Sequence, residues 1–314
     1  MRKINRLLSI IAAGSLLISL CSCAKKDDIR FGTGNTGGVY YAYGTALSEI
    51  NDDVTVKKTA GSQANLRLMD DGFVDMAIVQ SDVLSEAVNG TEDFEEGSID
   101  GVSAVAGLYM EAFQIIVPSD SEIQTVADLD GKRVSVGEDG SGVAKNAEYI
   151  LNSVGLNMDM LDIRNLTYSK SADALKSGDI DAFFAVLGTP SDVVTKLSED
   201  MNIRILSLDD RTISYMTNLY GGYYETVIDA GTYKGQDEDI KTVGVKAVLV
   251  AADKTDSSSV KEVVTQIFEN NDEIKKSVPF AEADAEFATQ DIPCGFHEGA
   301  ADYYDGLGIS VRRK

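Results

Sequence analysis

The sequence predicts an α/β protein of two doubly wound lobes joined by a two-strand hinge. Three observations carry that prediction. Apolar β runs alternate with amphipathic helical stretches, the pattern of strands buried on both faces of a parallel sheet. A unit of strand, glycine-rich turn and helix occurs twice, near residues 29–47 and 133–151. Between the two copies a constant offset of 106 residues aligns Gly72 with Gly178 and Asp75 with Asp181.

Composition restricts the function before any motif is read. Of 314 residues, 44% are hydrophobic and 25% charged, the balance of a globular chain rather than a disordered or collagen-like one. Against 28 basic residues stand 51 acidic ones, a net charge of -23. A surface that acidic repels phosphate backbones, so nucleic acid is not an expected partner. The single histidine, His297, rules out multi-histidine metal sites and leaves one candidate base for a catalytic triad. Neither a metal nor a cofactor is expected.

Residues 1–22 have the form of an export signal. Arg2, Lys3 and Arg6 make a basic head, and the 14 residues from Leu7 to Leu20 are apolar or small, too few to anchor a helix across a bilayer. Leu20-Cys21-Ser22-Cys23 ends the stretch in the manner of a bacterial lipoprotein signal. Cys23 has a leucine three residues before it and a small residue between, whereas bulky Leu20 directly precedes Cys21. Cleavage before Cys23 and its acylation would tether the chain, through residues 23–28, outside the cytoplasmic membrane. The 292 residues then left carry a net charge of -26, because the three basic residues of the head are gone. At roughly 150 residues per domain that length is two domains. No later run approaches the roughly 18 apolar residues of a membrane helix. Cys294 is the one cysteine beyond the leader region, so stability rests on core packing rather than on a disulfide.

Taken in order, the folded part opens with a short strand, Ile29-Arg30-Phe31. Gly32-Thr33-Gly34-Asn35-Thr36-Gly37-Gly38 then turns into Val39–Leu47, whose apolar spacing is helical. Glycines allow a tight turn and a close approach, while the free N–H groups and the dipole of the first helical turn favour a negative group. The segment lacks the Gly-Lys-Ser/Thr of a phosphate loop and the acidic ribose partner of a dinucleotide fold. Val54–Thr59 predicts the next strand, and the helical stretch after it stops at Gly72, before an apolar β run to Val79. The acidic run Thr91–Asp100 lacks the spacing of a calcium loop and reads as solvated. Ala112–Pro118 predicts a strand leaving the first lobe, and Val126–Arg133 a short helix and turn entering the second. There Arg133–Gly137, Glu138–Gly142 and Val143–Leu151 repeat strand, turn and helix, and Gly178–Ala185 repeats the glycine and buried strand. Thr242–Val250 predicts a second long strand, followed by a helix over 260–270.

The two long strands are the expected crossings, giving lobe I as 29–115 plus 245–314 and lobe II as 116–244. Two crossings make a hinge about which lobes close on a ligand. The glycine-rich turns then face each other at the carboxyl ends of their strands, where open sheets bind ligands.

Six ordered segments carry a family resemblance: Thr36–Tyr41, Gly61–Leu68, Val79–Asp82, Leu108–Glu111, Ile180–Phe184 and His297–Tyr304. From about Ile29 to the C-terminus the chain resembles the TAXI family, the extracytoplasmic solute-binding subunits of TRAP-type transporters. The resemblance implies a type II periplasmic-binding-protein fold and a small carboxylate ligand, such as glutamate or a dicarboxylate. It also implies delivery to an ion-driven membrane permease, without catalysis. The chain departs from the family at Val143, where threonine is more usual, and at Cys294-Gly295-Phe296 before the histidine motif. Those departures leave the ligand's identity open.

First-lobe anion and ring contacts are expected at Thr36, Gly37, Gly38 and Tyr40. Gln63 and Asn65 would supply neutral donors, Gln80 and Ser81 would orient the ligand from a strand end, and Tyr109 would line the floor unless it packs in the core. From the second lobe Ser141, Gly142 and Val143 would close over the other end, with Gly188 and Thr189 at the next strand end. Glu138 and Asp139 suit an anion poorly; they face solvent or receive an amino or hydroxyl group. His297 reads as a helix cap rather than a base, and Cys294 lacks a basic neighbour to activate it. The binding protein of an ABC importer or a lipid-anchored sensor ectodomain would share this scaffold. An enzyme built on it would need Cys294 or His297.

Overall fold

The computed structural model describes residues 28–314. The expectations for the signal at 1–22, for Cys23 and for the tether as far as residue 27 lie outside the described residues.

The chain begins with β1 (Ile29–Gly32), α1 (Val39–Ile50), β2 (Val54–Lys57), α2 (Ser62–Asp70), β3 (Met76–Gln80) and α3 (Ser81–Asn89). A long strand, β4 (Val102–Pro118), leads into β5 (Arg133–Ser135), α4 (Gly142–Ser153), β6 (Asp162–Arg164), α5 (Tyr168–Ser177) and β7 (Ala182–Leu187). Then come α6 (Asp192–Asp200), β8 (Ile203–Ile205), α7 (Asp210–Leu219) and β9 (Tyr223–Ile228). The second long strand, β10 (Ile240–Ala252), returns the chain, and α8 (Ser257–Glu269), α9 (Asn271–Ser277), α10 (Ala285–Thr289) and α11 (Glu298–Gly306) complete it.

Strand order is β2-β1-β3-β10-β4-β7-β5-β6, with β8 on β4 and β9 on β10. β1, β2 and β3 are mutually parallel, and so are β5, β6 and β7. β4 and β10 run antiparallel to each other and to the sheets they join. Three hydrophobic clusters follow from this layout. One gathers β1–β3, the first half of β4 and the end of β10 under α1, α2, α8 and α11, around Phe31, Tyr43, Leu47, Ile78 and Tyr304. The other two cover opposite faces of the second sheet, as Phe184 and Ile115 belong to one and Phe183 and Ile116 to the other. Neighbouring side chains of a strand point to opposite faces, so a sheet covered on both sides needs such unbroken apolar runs.

The repeat read from the 106-residue offset has the same brace in both copies. The Arg30 guanidinium donates to both oxygens of Asp75, and Arg133 does the same to Asp181. In each pair the arginine backbone N–H also donates to the carboxylate. Gly72 and Gly178 both have φ of +77°, the left-handed turn that ends the preceding helix.

β4 is longer than the expected strand, starting at Val102 rather than near 112. Its first half pairs with β10 from Ala252 back to Ala247, with two register shifts, and this pairing across the sequence is what extends it. The acidic run also differs from a simple solvated loop. Glu92–Phe94 is one tight helical turn whose Phe94 is buried, and Asp93 accepts from the Gln63 amide and faces the Lys145 ammonium.

Candidate functional site

The first half of β4 packs in the lobe I core and its second half in the lobe II core, so the crossing falls near Met110–Ala112, opposite Gly244–Lys246. Above it lies a narrow cavity of about 50 Å³. Its lobe I wall comes from Gly34–Asn35 and Gly38–Tyr40, from Ala60–Ser62, from Gln80, and from Glu111 on β4. Its lobe II wall comes from Gly137–Glu138, Ser141–Val143, Leu166, Tyr168 and the end of β7.

Four helices begin at this cavity, because each follows a strand whose carboxyl end points at it. The caps of α1, α2 and α3 are Gly38, Gly61 and Gln80, none of which caps its helix with a side chain. In α4 the Ser141 hydroxyl accepts from the Ala144 N–H. In α3 the Asp82 carboxylate already accepts from the N–H groups of Asp82 and Val83, whereas uncapped first turns such as those of α1 and α2 leave N–H groups for an incoming acceptor. Gly61 has φ of +122°, which a side-chain-bearing residue adopts only under strain, and it brings the turn against Ser141.

Among the described residues no lysine or arginine lines the cavity, and the charged side chains there are Glu111 and Glu138. Glu111 is 2% exposed and accepts from the Tyr40 hydroxyl at 2.8 Å. Burial pushes its carboxyl up to about 8. Glu138 is half-buried and accepts from the Asn35 amide across the cleft at 2.9 Å. Burial and the Glu111 charge hold the Tyr40 phenol well above its ordinary value, so it stays a donor.

Of the residues expected at the site, Gly38, Tyr40, Gln80, Ser141, Gly142 and Val143 line this cavity. Thr36 and Gly37 instead face a larger opening of about 480 Å³ that shares Gly38, Val39 and Leu187 with it and continues between α1, α5 and α6. Gln63 is bound to Asp93. The buried Asn65 amide spans the carbonyls of Thr33 and Ile78, holding β1 to β3. Ser81 bridges the Gly222 carbonyl and the Lys246 N–H. Tyr109 is fully buried with its ring edge-on to Phe280 and beside Tyr43. Gly188 lies against the Phe280 ring, and Thr189 precedes Pro190 next to it. Asp139 is exposed.

Glu111, Asn35, Ser62 and Tyr168 are wall residues not anticipated from the sequence. For Glu111 a signal existed: one acid inside the apolar stretch Leu108–Pro118.

Beside the cavity α3 and α4 are joined by buried polar groups. Asn146 and Tyr223 both donate to Asp82 Oδ2, and Tyr149 donates to Glu86. Burial pushes the Glu86 carboxyl up to about 8 and raises that of Asp82. Elsewhere, His297 Nδ1 caps α11 by accepting from the Gly299 N–H, and burial pushes the Cys294 thiol up to about 11. Among the described residues no helix is long and apolar enough to cross a membrane.

Two α/β lobes, two antiparallel crossings and a cavity between them define the fold of the type II periplasmic binding proteins. The chain belongs to the NMT1-like family, whose model matches residues 31–308. A solved structure from Bordetella bronchiseptica RB50 is similar at 14% identity and a TM-score of 0.58, covering 90% of this chain and 98% of its own. The periplasmic aliphatic sulphonate binding protein SsuA from Escherichia coli is similar at 15% identity and 0.48, over 90% of this chain and 94% of its own. The GluR0 ligand-binding core from Nostoc punctiforme, in complex with L-glutamate, is similar at 12% identity and 0.48, over 82% and 100%.

Proposed function

We propose that this protein is an extracytoplasmic solute-binding protein of the TAXI type, tethered by a lipid on Cys23, that captures a small carboxylate and delivers it to a TRAP-type permease. It acts as a monomer, with lobe I as 29–115 plus 245–314 and lobe II as 116–244. The observation that carries this reading is the convergence of the N-termini of α1, α2 and α4 on a cavity that no lysine or arginine among the described residues lines. Each such terminus favours an anion by about 0.3–1 kcal/mol when exposed and up to about 2 when partly buried. A carboxylate is compact enough to meet several at once.

The solute docks on the lobe I turns, and closure about β4 and β10 then brings Ser141–Val143 over it. Release follows when the permease favours the open form. The capping role of His297 and the raised thiol of Cys294 speak for binding rather than covalent chemistry.

The test uses residues 24–314, unfolded and refolded to strip bound solute, in thermal shifts against glutamate, glutamine, 2-oxoglutarate, C4-dicarboxylates, aromatic amino acids and neutral sugars. At about a hundred times its Kd a ligand stabilises by about 2.7 kcal/mol. That raises Tm by about 4 °C in a chain of this length. A response confined to one carboxylate class is expected; a response to neutral sugars alone overturns the reading. Uptake by vesicles carrying the cognate membrane subunits, driven by an ion gradient without ATP, separates a TRAP system from an ABC importer.

A further inference from the structure

A cavity shaped for an anion has an acid in its wall. Glu111 sits at the crossing of β4, buried, with its carboxyl in the cavity. Every element packed around it presents groups that fail to neutralise it. Tyr40 from α1 donates to Oε2, the Gln80 side chain at the end of β3 also hydrogen-bonds the carboxyl, and Tyr109 and Tyr168 stand near it as neutral phenols. Asp82 on α3 adds a like charge. Glu138 lies in the opposite wall. On the neighbouring strand, the Lys246 ammonium is spent on the carbonyls of Phe287 and Gln290.

An ionised Glu111 beside a bound carboxylate would place two like charges in one desolvated space, and such pairs keep one proton between them. We propose that Glu111 is the specificity-determining acid of the cleft: it stays protonated in the loaded protein and donates to an anionic oxygen of the solute, so each carboxylate is captured with one proton. This rests on the carboxylate reading above. With Oε2 accepting from Tyr40, the proton is on Oε1. No bond to carbon forms or breaks, and the proton comes from solvent whenever Glu111 is ionised in the empty cleft.

The consequence is a one-sided pH profile. Affinity is flat while Glu111 is protonated in the empty protein and falls about tenfold per pH unit once it ionises there. Glu111→Gln keeps an amide donor that cannot ionise.

The experiment is calorimetric titration of residues 24–314 with L-glutamate, 2-oxoglutarate, succinate and L-phenylalanine between pH 6 and pH 9, in buffers of different ionisation enthalpy. For the carboxylate that binds, the wild type should lose affinity by about tenfold from pH 6 to pH 9, most of it above pH 8, and take up about one proton per solute at the alkaline end. E111Q, whatever its Kd at pH 6, should hold that Kd constant to pH 9 and take up no proton on binding. A merely structural role for Glu111 would move Kd without moving that slope. A flat wild-type profile, or the same slope in E111Q, overturns the proposal and leaves the carboxylate reading standing. Absence of binding by all four overturns both. Proton uptake by the wild type decides the question even if E111Q does not fold.

Discussion

Gly142 shows how closely the two lobes meet. It is the first residue of α4, and a Cβ added there would overlap the Gln80 carboxamide from the end of β3. Nothing in its backbone requires glycine, because its φ lies outside the left-handed region. Gly142→Ala should therefore favour the helix slightly while forcing Gln80 out of the cavity wall or holding the lobes apart. We expect about 1–2 kcal/mol off closure, a five- to thirtyfold weaker Kd by calorimetry, with Tm of the ligand-free protein unchanged or slightly raised. An unchanged Kd would show that the lobes do not come together on the solute as described. Gly38, Gly142 and Gln80 were legible because turn chemistry is local. Glu111 was not singled out because its meaning comes from α1, β3 and β10 stacking on it. Asn65 and Ser81 have the residue types of ligand donors, yet long-range strand pairing uses them as braces.

The junction of α3 with α4 makes stability depend on pH. Glu86 and Glu111 both have carboxyls raised from an ordinary value of 4.5 to about 8. Below about 4.5 both are protonated whether the chain is folded or not, and their burial brings no pH penalty. As pH rises towards 8 the unfolded chain releases those protons while the folded chain keeps them, so stability falls, and the loss levels off above about 8. Asp75 and Asp181 act in the opposite sense. Arg30 and Arg133 hold them below the usual carboxylate range, and their contribution is lost on acidification. Together these give a stability maximum near pH 5, seen as a Tm that declines from about pH 5 to pH 8. Glu86→Gln should reduce that decline; a Tm that rises steadily to pH 8 would contradict the account. The elements themselves were largely readable from glycines and apolar runs. Their junctions were not, since the bonds from Asp82 to Asn146 and Tyr223 span 64 and 141 residues.

At the scale of the molecule the conformation described has its lobes together, with Asn35 bonded to Glu138 and Tyr149 to Glu86 across the cleft. A compact chain of about 290 residues has a radius of gyration of about 19 Å. Small-angle scattering should give a larger value for the stripped protein and a fall towards about 19 Å when a saturating carboxylate is added. Equal values with and without ligand would remove closure from the mechanism.

Where β4 passes from the first hydrophobic core to the second and β10 passes back, Ala112 and Gly244 are paired neighbours in adjacent antiparallel strands. In topological terms, then, the second lobe is a single cassette spliced into one point of a host sheet, where a tight hairpin would otherwise suffice. Half of the binding wall is carried on that cassette. On the function proposed above, solute preference is thus open to exchange by swapping one contiguous stretch of gene, while the host lobe with its own core stays untouched.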